Sequence, residues 1–211
     1  MSNEKPRRYE LRARAESQAQ TRARIVRATM ELHQEVGPAH TTVAEIARRA
    51  GVQRLTVYNH FPQEAELFGA CQAHWLSLHP LPDLTAGLAI SDPAERVQTV
   101  LGALYGWYRD TETMAEMVQR DRGTVAALDR VMQESSDAGL AQIADALAAG
   151  FGGRGSGAQQ RRAVIALALD FWTWRRLDRE GLDDRSAAKV MAEAVAGAGS
   201  PRVRGRPGKI S

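Results

Sequence analysis

Apolar residues along this chain recur at intervals of three and four, and alternating runs of Val, Ile, Thr and aromatics bounded by hairpin turns are nearly absent. Ala, Leu, Arg, Glu and Gln dominate throughout, so the chain is read as all-α. Glycine and proline set the helix ends. A first helix is expected from about Glu16 to Val36, with Ile25, Thr29, Leu32 and Val36 on one face and a left-handed cap at Gly37 before Pro38. Thr42-Val43-Ala44-Glu45 reads as a capping box opening a second helix, which Gly51 ends. Val52 to Phe61 reads as a short third helix stopped by Pro62, and a fourth runs from about Gln63 to Leu78.

His79-Pro80-Leu81-Pro82 is the expected linker between two modules. Beyond it, Asp92-Pro93-Ala94-Glu95 supplies an N-cap, a proline in the first turn and a capping glutamate for a helix to about Asp110. Helices over Glu112 to Asp121, Thr124 to Ala149, Ser156 to Arg179 and Arg185 to Val195 follow, giving about nine in all. The expected organisation is a basic flexible arm over 1–17, a first helical module over 18–78, a second over 83–199 and a basic tail over 200–211.

The net charge of +3 conceals an asymmetry. Residues 1–60 hold eleven Lys/Arg against six Asp/Glu, and residues 200–211 hold four basic residues and no acid, which leaves the middle at −6. Basic ends suit a polyanion that an acidic middle would repel. The longest apolar run, Ala163 to Leu169, is far shorter than the ~20 residues of a membrane span. With no signal-peptide core in MSNEKPRRYE and a single cysteine, a cytoplasmic chain without a disulfide framework is expected.

Two short helices joined at Gly51 suit a helix-turn-helix, whose second helix enters the major groove. The residues around the turn sharpen that reading. The stretch Thr41-Thr42-Val43-Ala44-Glu45-Ile46-Ala47-Arg48-Arg49-Ala50-Gly51-Val52-Gln53-Arg54-Leu55-Thr56-Val57-Tyr58-Asn59-His60-Phe61-Pro62 resembles the DNA-binding signature of the TetR family of bacterial repressors, and Thr56-Val57-Tyr58-Asn59-His60-Phe61 is its most specific part. The motif-level resemblance covers roughly residues 18–78.

The resemblance implies a dimeric, ligand-responsive repressor that reads a near-palindromic operator through residues 53–60, with 18–78 as a three-helix helix-turn-helix DNA-binding domain and 83–199 as a helical ligand-binding and dimerisation domain. Thr42, Gln53, Arg54, Leu55, Thr56, Tyr58, Asn59 and His60 are the expected DNA-binding residues. Thr42 offers a hydroxyl and free N–H groups to a phosphate. Arg54 has the geometry to grip guanine O6 and N7 together. Thr56 and Tyr58 match family positions that touch backbone or a thymine methyl, and His60 matches a phosphate contact. Three residues depart from the family pattern: Leu55 replaces a Gly, Ala or Pro, Glu64 stands where a Lys is common, and Gln53 is a poorer cap than Ser or Asp.

In the tail, Arg204-Gly205-Arg206-Pro207 resembles the AT-hook core, in which two guanidinium groups lie along an A·T minor groove. The arm with Arg7, Arg8, Arg12 and Arg14 invites the same reading. Trp107, Tyr108, Met114, Phe171 and Trp174 are the expected lining of an effector pocket, each also suited to ordinary core packing. Small residues Ala163, Ala166, Ala187, Ala188, Ala192 and Ala194 in the last helices would permit close approach in a two-fold dimer. No cofactor is expected. Two other readings stay open: an architectural DNA protein that uses its basic ends without a ligand, and a metal enzyme built on Cys71, His74 and His79.

Overall fold

The computed structural model describes residues 4–199, with side chains from Ala13 onward. Among the described residues the regular elements are all helical, and no helix is long and apolar enough to cross a membrane. The tail residues Arg204, Gly205 and Arg206 lie outside the described residues, as do the side chains of Arg7, Arg8 and Arg12. The chain divides into two compact units. Unit 1 takes the chain up to Pro80 together with Thr111–Ser135, and unit 2 takes Leu81–Asp110 and the chain from Ser136 onward.

Unit 1 is built on α1 (Glu4–Val36), α2 (Val43–Ala50), α3 (Arg54–His60) and α4 (Glu64–Leu78). The start of α1 corrects the expected arm over 1–17. Residues 7–20 are Ala, Arg, Gln, Glu, Leu and other residues that propagate a helix, and Pro6 falls in the first turn, where its missing N–H has no partner to lose. Ile25, Ala28 and Leu32 of α1 are buried with Ile46, Ala47 and Ala50 of α2, Val57 and Phe61 around α3, and Leu67 of α4. Val36, expected on the same stripe, is exposed at the end of its helix.

Two further helices, α7 (Glu112–Asp121) and α8 (Ala126–Met132), belong to unit 1. This differs from the expected partition at residues 78 and 83. Met114 of α7 packs with Met30 and Cys71, while Leu128 and Met132 of α8 pack with Phe68. At the end of α1, Gly37 has positive φ but extended ψ (88°, 158°), so it is not the left-handed cap that was expected. A 3-10 turn, Pro38–His40, leads from it into the α2–α3 segment.

Unit 2 holds α5 (Thr85–Leu88), α6 (Pro93–Asp110), α9 (Ala138–Ala149), α10 (Ser156–Leu169), α11 (Phe171–Arg179) and α12 (Asp184–Gly197). The Asp92 carboxylate caps α6 by accepting the Glu95 N–H at 2.8 Å, as its sequence proposed. Helices α6 and α12 pack along one another, with Val97, Val100, Leu101 and Leu104 on one and Ala187, Ala188, Met191 and Val195 on the other fully or nearly buried.

Two helical stretches expected from sequence are broken. Thr124 to Ala149 is interrupted by a π turn, Gln133–Asp137, where Ser135 Oγ turns back to donate to the Val131 carbonyl at 2.5 Å. Ser156 to Arg179 is interrupted at Asp170, whose carboxylate accepts the Trp172 and Thr173 N–H groups at 2.9 and 3.2 Å. The carbonyls of Ala168 and Leu169, at the C-terminus of α10, receive the hydroxyls of Tyr105 and Tyr108 at 2.7 Å each. Side chains thus replace the helical bonds that the break removes. The Ser156 capping box does not form: Gly155 occupies the cap position, with no side-chain bond.

Candidate nucleic-acid interface

The turn between α2 and α3 is closed by its backbone. Gly51 adopts the left-handed conformation (φ 65°, ψ 42°), its N–H bonds to the Arg48 carbonyl, and the Val52 N–H bonds to the Ala47 carbonyl at 2.9 Å. Thr42 caps α2 by accepting the Glu45 N–H at 3.2 Å. Only this half of the capping box forms, because the Glu45 carboxylate is held by Arg48. The Thr42 hydroxyl hydrogen therefore remains available to a phosphate oxygen beside the N-terminus of α2.

Along α3, Val57 is 2% exposed and anchors the helix in the core, whereas Leu55 is 65% and Tyr58 53% exposed. Gln53, Arg54 and Asn59 are exposed as well, and Thr56 and His60 are half-buried. The helix thus turns one side inward and lays the expected reading residues on the other. Gln53 occupies the cap position without a side-chain bond.

Charge around the turn is sorted. Arg49 of α2 bonds through both terminal nitrogens to Glu35 of α1, at 2.5 and 2.7 Å, and Arg48 is paired with Glu45. Those guanidinium bonds hold the Glu35 and Glu45 carboxyls below their ordinary values. Arg54 has no ion-pair partner among the described residues. Arg22 lies over the Phe61 ring at 4.5 Å, tying α1 to the end of α3.

One residue that sequence reasoning missed supports this segment. The Asp121 carboxylate, at the end of α7, accepts the Ala39 N–H at 2.9 Å and is bound by Arg120. No local pattern marks it, because its partner lies eighty-two positions away.

The other expected sites fare differently. Tyr108, Phe171 and Trp174 are brought together in unit 2 with ring centroids 5.5 to 5.8 Å apart and all three buried, so they form core. Trp107 lies 5.8 Å from Tyr108 and is half-buried. Met114 does not join them: it belongs to unit 1, beside Met30 and Cys71. Cys71, His74 and His79 all lie at α4, but Cys71 faces His33 in the core and His79 stacks on Trp75 at 3.8 Å. No group of three or more His, Cys, Asp and Glu among the described residues is arranged to hold a metal. Of the small residues expected at a dimer seam, Ala187, Ala188 and Ala192 are buried within unit 2, while Ala163, Ala166 and Ala194 are exposed with Leu167 and Val190.

Together, α2, the Gly51 turn and an α3 with one open polar side define a helix-turn-helix DNA-binding domain. Residues 25–71 match the family described as bacterial regulatory proteins, tetR family. The likeness to that family at the level of sequence lies in this N-terminal domain. The uncharacterized HTH-type transcriptional regulator YerO of Bacillus subtilis is 32% identical over 89 residues, 41% of this chain and 31% of that protein. The HTH-type transcriptional regulator TtgR of Pseudomonas putida is 39% identical over 82 residues, 39% of this chain and 38% of that protein. The matched segment thus spans less than two-fifths of either relative. Likeness in fold extends further. NalD, the secondary repressor of the MexAB-OprM multidrug efflux pump in Pseudomonas aeruginosa, superposes with a TM-score of 0.56 at 24% identity, covering 86% of this chain and 96% of that one. A TetR-like transcriptional regulator from Rhodococcus sp. RHA1 gives 0.55 at 17% identity, with 83% and 93% covered.

Proposed function

We propose that this protein is a dimeric, ligand-responsive transcriptional repressor that binds a near-palindromic operator through α3. The observation that carries the reading is the division of α3 into a buried anchor, Val57, and an exposed set of Arg54, Leu55, Tyr58 and Asn59 behind the Gly51 turn. In it Arg54 reads guanine, Leu55 and Tyr58 meet thymine methyls or backbone, Asn59 faces a base edge, and Thr42, Gln53, Thr56 and His60 hold the phosphates. The naming of NalD as a repressor supports the sign of regulation.

Two copies joined through the exposed apolar residues of α10 and α12 present their recognition helices to successive major grooves, roughly 34–36 Å apart. The effector acts by favouring one spacing of those helices over another. Selection of bound sequences from random duplex DNA, followed by footprinting, tests the reading. A two-fold symmetric consensus supports it; a broad, sequence-independent footprint rejects it in favour of an architectural DNA protein.

A further inference from the structure

A partly open pocket of about 320 Å³ lies in unit 1 beside the recognition helix, framed by α1, the 3-10 turn, α2, α3 and α4 and reaching the surface at Tyr58, Pro62 and Glu64. We propose that it is a binding site for a neutral, single-ring aromatic molecule carrying one hydroxyl group.

Size sets the first limit. A cavity of ~150 Å³ holds benzene and drug-sized pockets begin near ~300 Å³, so this space has room for a substituted ring and excludes much larger ligands. Its walls are largely apolar, with Val57 and Phe61 on one side and Phe68 on the other. Charge sets the second limit. The titratable groups that line it are His33, Tyr58 and Glu64; Tyr58 and Glu64 are exposed, and His33, 4% exposed, is the buried one. Burial pushes the His33 imidazole down to about 4, so it is neutral near pH 7. A charged ligand would lose hydration and gain no buried counter-ion.

Hydrogen bonding names the ligand's polar group. The Cys71 thiol is pushed up by burial to about 12 and keeps its proton, and its Sγ lies 3.6 Å from His33 Nδ1. We assign the tautomer in which the S–H donates to Nδ1 and the imidazole proton sits on Nε2. Thr29 and Thr41 are also among the lining residues, and the hydroxyl of each donates its hydrogen to backbone, Thr29 to the Ile25 carbonyl and Thr41 to the Gly37 carbonyl, each at 2.8 Å. Their oxygens remain as acceptors. The site thus offers one N–H donor and two hydroxyl acceptors, which a ligand hydroxyl matches by accepting from one and donating to the other. The His33 ring is held by its stack on Phe68, with centroids 5.5 Å apart.

Val57 and Tyr58 of α3 line it, and Tyr58 is also one of the proposed DNA contacts, so any effect of a ligand here on DNA affinity is matched by an equal effect of DNA on ligand affinity. That linkage rests on the proposed function; occupancy of the cavity does not.

The experiment titrates the full-length protein with phenol, toluene and benzoate while following methyl resonances of Ile46, Val57 and Leu67. Phenol should saturate at one molecule per chain with shifts centred on those methyls, toluene should bind at least fivefold more weakly, and benzoate should leave them unmoved. His33→Phe should weaken phenol at least fivefold and leave toluene unchanged, with a native-like methyl spectrum as the folding control; Thr41→Val gives the same pattern from the acceptor side. Absence of saturable shifts at Ile46 and Val57, or equal binding of phenol and toluene, overturns the proposal. A parallel titration with the selected operator separates the two readings. DNA binding without phenol binding removes this site alone, and phenol binding without sequence-specific DNA binding removes the repressor reading alone.

Discussion

Asp121 Oδ2 accepts the backbone N–H of Ala39 at 2.9 Å, joining the last turn of α7 to the 3-10 turn that leads into the helix-turn-helix. Burial alone would raise this carboxyl, but Arg120 and the Ala39 N–H outweigh it and hold it below the ordinary carboxylate value. Losing a charged acceptor in a 5% exposed position costs about 1–3 kcal/mol. Asp121→Ala should therefore lower the melting temperature by several degrees, and Asp121→Asn, which keeps an acceptor, by less. Calorimetry of the two variants checks the order; equal melting temperatures for all three proteins would remove the bond's role.

The same corner explains a difference between two glycines with positive φ. A Cβ at Gly37 would run into Arg120 Nη2 and Asp121 Oδ2, whereas at Gly51 its nearest neighbour is the end of the flexible Arg24 side chain, at 3.9 Å. Gly51→Ala should cost about 1–2 kcal/mol, the strain of a left-handed non-glycine residue. Gly37→Ala should cost more, because the Asp121 clamp must also move. Urea denaturation of both variants ranks them, and a milder loss at Gly37 would show that the clamp yields freely.

His33 makes stability depend on pH. Its folded value of about 4 lies below the ordinary 6.5, so between these values the unfolded chain binds a proton that the folded chain refuses. The contribution is complete above pH 6.5 and is lost as pH falls toward 4, amounting to about 3 kcal/mol across the window. His33→Phe should flatten the stability profile between pH 7 and pH 4. A mutant profile parallel to wild type would assign the acid sensitivity to other groups.

The helix-turn-helix was legible because its signals are local. Gly51 marks a left-handed turn and Thr42 a cap, each within a few positions of its partners, and Val57 stands out as the inward residue of a short helix. What escaped the sequence depends on distant partners. The apolar pattern runs straight through Leu169-Asp170-Phe171, and the hydroxyls of Tyr105 and Tyr108, from more than sixty positions away, meet carbonyls that the break leaves free. Met114 looked like a neighbour of Trp107 and Tyr108, yet its packing against Met30 and Cys71 draws α7 into unit 1. Asp170 itself reads as one more polar residue on a helix until its carboxylate is seen capping α11.

The most direct measurement compares wild type and Arg54→Ala for binding to the selected operator and to a scrambled duplex of the same length, at one fixed salt concentration. A bidentate guanine contact is worth about 1–3 kcal/mol of discrimination. The variant should therefore lose roughly fivefold to a hundredfold of its preference for the operator while keeping its affinity for the scrambled duplex within a few-fold. Equal preference in both proteins, or no preference in wild type, would contradict a sequence-reading role for α3.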